Sequence, residues 1–272
     1  MSHPQIVPFR LLDRPLDPAP DRLYPAKPPL PKQAKAVTIA AAFPCKDGFV
    51  FCADQLMTHG EHSQPGSFAH YEQKVFGRQG DYYSALLCAA GPTDYLKTLK
   101  HSFFKCLEEN EVEGEGLSLT AVEGALETCL IELQGKVNTE LGLQTLVAVM
   151  DDHRRSRYLR SDDRVVRPVT GPEILGIGEA SLVRFLIESA YHPRFTLQQG
   201  IALAALVVYF AKKYCAQYCG GDTDIYTLSK GEFITNWEPV SRSKIESLEL
   251  MFKKETGKHL LQFIDRAASL IL

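Results

Sequence analysis

Residues 36–54, AVTIAAAFPCKDGFVFCAD, read as two strands around a turn at Lys46-Asp47-Gly48, with one threonine, Thr38, at the head of the first. Both flanks of the turn are nearly continuous apolar runs rather than alternating ones, the pattern of strands buried on both faces. An acid, Asp54, closes the second strand. A buried sheet carrying a hydroxyl at one strand end and a carboxylate at the neighbouring end sets the terms for the rest of the chain.

Upstream of this hairpin the composition changes abruptly. Nine of the sixteen prolines fall within residues 1–31, ending in Tyr24-Pro-Ala-Lys-Pro-Pro-Leu-Pro-Lys32, which favours extended polyproline II over a packed element. Residues 1–35 are therefore expected to form a proline-rich tail or pro-segment, and residues 36–272 a single domain with a C-terminal helical extension. Of the 272 residues, 45% are hydrophobic and 23% charged, enough to bury the core of a domain of about 200 to 250 residues. A net charge of −3 and the lack of a long basic run give no electrostatic footprint for nucleic acid. The seven cysteines are an odd number, set mostly in apolar segments without a CxxC pair, and read as reduced thiols of a cytoplasmic protein. The longest apolar run, Ile201 to Ala211, is too short to span a bilayer. No nucleic-acid or membrane partner is expected.

Downstream, strand signals at 73–77 and 82–90 follow the hairpin, then helical spacing over 92–112 (Leu96, Leu99, Phe103, Phe104, Leu107) and 118–138 (Leu119, Val122, Leu126, Leu130, Leu133). Strands return at 143–150, 156–160, 165–169 and 174–177. A helix is expected to open near Glu179, another to run from Leu197 to Tyr214, a strand over Asp224–Leu228, and a helix after Val240 broken at Gly257. The polar loop Thr58-His-Gly-Glu-His-Ser-Gln-Pro-Gly66 carries two histidines, but with no third ligand or helical register it reads as a solvated loop, and no metal or cofactor is expected. Strand blocks alternating with helix pairs, each block buried on both sides, call for an α+β, four-layer αββα sandwich: two antiparallel sheets covered by helix pairs. A doubly wound parallel sheet would need a helix after each strand, and that alternation is missing.

Several short pieces, in this order and spacing, resemble the proteasome core subunit family, of β type, with its Ntn-hydrolase fold. They are Thr38-Ile-Ala-Ala-Ala, Lys46-Asp-Gly, Ala53-Asp54, Lys74-Val-Phe, Ala89-Ala-Gly91 with Asp94, Gly176-Ile-Gly178 and Tyr218-Cys-Gly-Gly221, covering about residues 37–235. The resemblance implies a nucleophile at Thr38, a charge-stabilising lysine at Lys74 held by Asp54, and an oxyanion-binding main-chain N–H at Gly91. It also implies ring partners, either other proteasome-like subunits or copies of the same chain as a homo-oligomer.

The chemistry of such a site constrains the reading further. A threonine hydroxyl needs a base, and in these enzymes the base is the threonine's own α-amine, with a pKa of about 8 when free. Thr38 could use it only after the 37–38 bond is cut. The family places glycine before the threonine, whereas Val37 is β-branched and stiff where the backbone must bend. By the same alignment Glu179 stands where a serine is usual, Ala216 where an aspartate is, and Cys219 where its serine partner is. Loss of that network would leave the amine unoriented, and misplacement by about 1 Å costs on the order of a hundredfold in rate. The sequence therefore favours a non-catalytic ring subunit in protein degradation. The alternative is a threonine-type endopeptidase acting on polypeptides through Thr38 after removal of residues 1–37. A third reading, Ser2 as N-terminal nucleophile, is disfavoured by the long proline-rich stretch separating it from the first core strand.

Overall fold

The computed structural model describes residues 38–58, 69–112, 116–137, 140–176, 182–216, 218–229 and 235–269. These belong to Ala34–Leu272, one of two units in the chain, the other being Met1–Gln33. The expected tail, Val37, the two loop histidines and Glu179 lie outside the described residues.

The opening stretch forms the hairpin β1 (Ile39–Cys45) and β2 (Gly48–Asp54), in a register that sets Ala40 opposite Ala53 and Cys45 opposite Gly48. Side chains alternate across it. Ile39, Ala41, Phe43, Val50 and Cys52 face a core against helices, whereas Ala40, Ala42, Phe49, Phe51 and Ala53 face a second core between sheets. A strand with two apolar faces has no polar alternation to show, which is why the sequence reads as a continuous run.

Two five-stranded antiparallel sheets result. With β12 (Glu173–Gly176), β13 (Thr223–Ser229) and β14 (Asn236–Pro239), the hairpin builds the first, in the order β12-β1-β2-β13-β14. The second runs β11-β10-β9-β6-β5, from β5 (Val75–Gln79), β6 (Tyr83–Ala90), β9 (Gln144–Asp151), β10 (Ser156–Asp162) and β11 (Val165–Pro168). Among the described residues two short hairpins complete the strands: β3 (Leu56–Thr58) with β4 (Ala69–Tyr71), and β7 (Glu111–Val112) with β8 (Gly116–Leu117).

On the second sheet lie α1 (Thr93–Glu109) and α2 (Leu119–Gly135), whose expected stripes, Leu96, Leu99, Phe103, Phe104 and Leu107 with Val122, Leu126, Leu130 and Leu133, are buried. Each such side chain contributes roughly 1.5–3 kcal/mol on leaving water. The first sheet is covered by α3 (Leu182–Ala190), α4 (Leu197–Tyr214) and α5 (Arg242–Ser269). That cover is three helices rather than a pair. α4 begins at a capping box, with Thr196 and Gln199 satisfying each other's main-chain N–H groups. It is pinned to the hairpin turn, Asp47 accepting from the Leu197 N–H at 2.9 Å. α5 runs helically through Gly257, where a break was expected. A single glycine costs a helix interior only about 1 kcal/mol, too little to end it. Among the described residues no helix is long and apolar enough to cross a membrane. All seven cysteines are free thiols.

One edge of the sandwich closes through a glycine. At Gly77 of β5 a β-carbon would lie 2.2 Å from the indole of Trp237 on β14, so the edge strands of the two sheets approach each other only because Gly77 has no side chain. Gly77→Ala is expected to destabilise the protein by about 2 kcal/mol through overpacking. Because Trp237 is the chain's single tryptophan, its fluorescence should shift to the red in the variant. An unchanged spectrum and denaturation midpoint would show that the edge repacks freely.

Candidate active site

The hairpin register explains how Thr38 and Asp54 meet. Continuing from Ala40 opposite Ala53, Ile39 falls opposite Asp54, and the Asp54 carboxylate reaches back across the strand end. Its Oδ1 accepts from the Ile39 N–H at 3.1 Å and from the Thr38 hydroxyl at 2.6 Å. Its Oδ2 accepts from the main-chain N–H groups of Leu56 at 3.2 Å and Gly220 at 2.9 Å. Gly220 belongs to the turn that leads into β13, so the Tyr218-Cys-Gly-Gly221 segment does reach this strand end.

Lys74 enters from the other sheet. It immediately precedes β5, whose Val75 pairs with Cys88 of β6, and its side chain crosses to the end of the β1–β2 hairpin. Its ammonium donates to Asp54 Oδ1 at 2.9 Å, to the Leu56 carbonyl at 2.5 Å and to Thr38 Oγ1. All three N–H groups of Nζ therefore have an acceptor, and Thr38, Asp54 and Lys74 are all buried. Burial pushes the Lys74 pKa below its ordinary 10.5, while the charge and hydrogen bond of Asp54 act against that fall.

This arrangement polarises one oxygen. The Thr38 hydroxyl gives its proton to a carboxylate and accepts from an ammonium, so negative charge developing on Oγ1 would meet a cation already in place. With the hydroxyl proton engaged on Asp54 and Lys74 fully used as a donor, the cluster lacks a free base. The α-nitrogen of Thr38, once released as an amine, is the group that would supply one.

The remaining sequence candidates divide. Gly91, just after β6, has φ +146°, and a β-carbon there would meet the Gly142 carbonyl oxygen at 2.7 Å and the Leu143 Cα at 3.0 Å. Its close packing accounts for the glycine on steric grounds alone. It shares no described hydrogen bond with the other three. Cys219 is buried beside the cluster, its thiol pushed well up by desolvation and then by the charge of Asp54. Ala216 follows α4 and is exposed.

Sequence reading missed the main-chain groups of Ile39, Leu56 and Gly220, and it missed Asp224. Main-chain donors leave no residue signature. Asp224 did leave one, an acid at the head of the strand-like Ile225-Tyr226-Thr227-Leu228, but its place near the cluster depends on the pairing of β13 with β2, which sets Asp224 opposite Ala53.

Fold and cluster together define an α+β sandwich with a buried threonine–lysine–aspartate constellation where its two sheets meet. No protein-family model and no curated protein matches the sequence. Solved structures do match: an Anbu (Gly-1) mutant from Hyphomicrobium sp. strain MC1, with a TM-score of 0.67 at 14% identity over 83% of this chain and 99% of that one. The Anbu complex from Pseudomonas aeruginosa, solved as a helical assembly, matches with a TM-score of 0.67 at 13% identity over 83% and 96%. Anbu (ancestral beta-subunit) from Yersinia bercovieri matches at 0.63 and 13% over 84% and 96%. At these identities the likeness is one of fold. It corrects the sequence assignment: these neighbours are Anbu proteins, a family distinct from the proteasome core subunits.

Proposed function

We propose that this chain is a self-associating subunit with the Ntn-hydrolase fold, and a threonine-type amide hydrolase acting on polypeptide, latent while the 37–38 bond is intact. The observation that carries the reading is the Thr38 hydroxyl held between Lys74 and Asp54. A buried lysine and aspartate could pair for structure alone, but structure does not require that the third member be a hydroxyl at a strand mouth.

In the released form, the Thr38 α-amine takes the hydroxyl proton as Oγ1 attacks the substrate carbonyl carbon. Lys74 stabilises the charge on Oγ1, and the Gly91 N–H is assigned to the carbonyl oxygen. The C–N bond then breaks, the leaving amine takes the proton, and water hydrolyses the resulting ester. The helical assembly in which the structurally similar Anbu complex from Pseudomonas aeruginosa was solved supports contact between copies.

One observation favours a non-catalytic subunit instead. Ala216, where the resemblance to proteasome subunits implies an amine-orienting aspartate, is exposed and carries no polar group.

The test is direct. Purified protein is analysed by intact mass, and a form released so as to begin at Thr38 is treated with a peptide β-lactone. A covalent adduct on the peptide containing Thr38 in the released form alone is expected. Lack of an adduct on a folded released form leaves the non-catalytic reading. Sedimentation at micromolar concentration tests self-association, and a stable monomer would refute it.

A further inference from the structure

Two carboxylates from adjacent strands act on the charge of Lys74. Asp54, at the end of β2, contacts its ammonium. Asp224 stands on β13 opposite Ala53, one register position from the pairing of Thr223 with Asp54. Because side chains alternate along a strand, Asp224 lies on the face of Tyr226 and Leu228, which pack in the core between the sheets. Its Oδ1 accepts from the Gln55 amide at 2.8 Å, and the charge and main chain of Lys74 favour its ionised form. Its Oδ2 is buried with no described hydrogen-bond partner. A buried oxygen without a donor costs about 1–3 kcal/mol, and an apolar residue would serve β13 better unless the charge has a use.

We propose that Asp224 is a positioning residue for Lys74: braced by Gln55 and set beside Asp54 by the β2–β13 register, it adds the second negative charge that keeps the ammonium protonated over Thr38. The inference deepens the functional reading above and rests on it for its catalytic meaning. The groups acting on Lys74 are Asp54 from β2, Cys219 from the turn before β13, and Asp224 from β13. Those acting on Asp224 are Lys74, which stabilises its charge, and Asp222, which opposes it. Desolvation raises the Asp224 carboxyl pKa, so the site holds the charge against a cost that Lys74 offsets.

The experiment is a titration that needs no activity. In full-length protein with ¹³Cε-labelled lysine, the Lys74 resonance is assigned by its disappearance in Lys74→Arg, and its midpoint is followed with pH. Asp224→Asn keeps the shape and removes the charge. The Lys74 midpoint is expected to fall while the other lysines stay where they were. Gln55→Leu removes the brace without touching either charge and should move it the same way, to a smaller extent. An unchanged Lys74 midpoint in both folded variants overturns the proposal, and so does a fall shared by all lysines. If Thr38 proves unreactive in the released form yet the midpoint falls, the functional reading fails while the coupling of Asp224 to Lys74 stands.

Discussion

Lys74→Met should cost about 3–5 kcal/mol of folding stability, the range for breaking a buried ion pair by removing one partner. The substitution keeps an unbranched apolar stem one atom shorter than lysine, so packing changes little. What it removes is the counter-charge to Asp54, whose carboxylate is fully buried. The main-chain N–H groups of Ile39, Leu56 and Gly220 still donate to that carboxylate, which places the expected loss at the lower end, near 3 kcal/mol. Adding Asp54→Asn removes the stranded charge, so the double variant should be more stable than Lys74→Met alone. Urea denaturation at one fixed protein concentration reads both. A Lys74→Met loss under about 1 kcal/mol, the worth of an exposed pair, would mean that water reaches the site.

The same pair fixes a pH dependence. Because burial lowers the Lys74 pKa below 10.5 in the folded protein, the unfolded chain binds more protons than the folded one between the lowered value and 10.5. Stability from this group therefore rises with pH across that window and is lost as pH falls through the folded pKa. The stability gap between the wild type and Lys74→Met should widen as pH rises from neutral towards 10.5. A gap that narrowed would show that Lys74 is favoured, not penalised, in its charged form.

How far the sequence reached follows from which signals are local. Leu197–Tyr214 came out to the residue because a capping box and a long apolar stripe both lie within the helix itself. β14 was missed because Asn236-Trp-Glu-Pro239 holds one strongly apolar residue and draws its stability from pairing with β13 and from Trp237 lying against Gly77. The site divides along the same line. Thr38, Asp54 and Lys74 are side chains at spacings that a motif preserves, so they were visible one by one. That Lys74 reaches them from the opposite sheet, and that Asp224 is set next to Asp54 by a strand far along the chain, are consequences of sheet order, which no local pattern encodes.

Thr38→Ala in a form beginning at residue 38 should lower peptide hydrolysis by at least about a thousandfold, because it removes the atom that forms the new bond and leaves only binding and oxyanion contacts. Thr38→Ser keeps a hydroxyl and should retain measurable turnover. The loss should appear in kcat with little change in KM, since Oγ1 makes its decisive contact only in the transition state. The structural role of Thr38 supplies the control. Its hydroxyl bonds Asp54 and Lys74, so Thr38→Ala also unpairs one Lys74 donor and should cost stability of about 1–3 kcal/mol. Thr38→Val leaves the same donor unpaired while filling the space, and should be as inactive as Thr38→Ala. If serine, alanine and valine variants all hydrolysed peptide at the rate of threonine, the reaction would belong to another group and the cluster would be an ion pair with a hydroxyl cap. If serine alone restored turnover, the hydroxyl held by Lys74 and Asp54 would be the nucleophile.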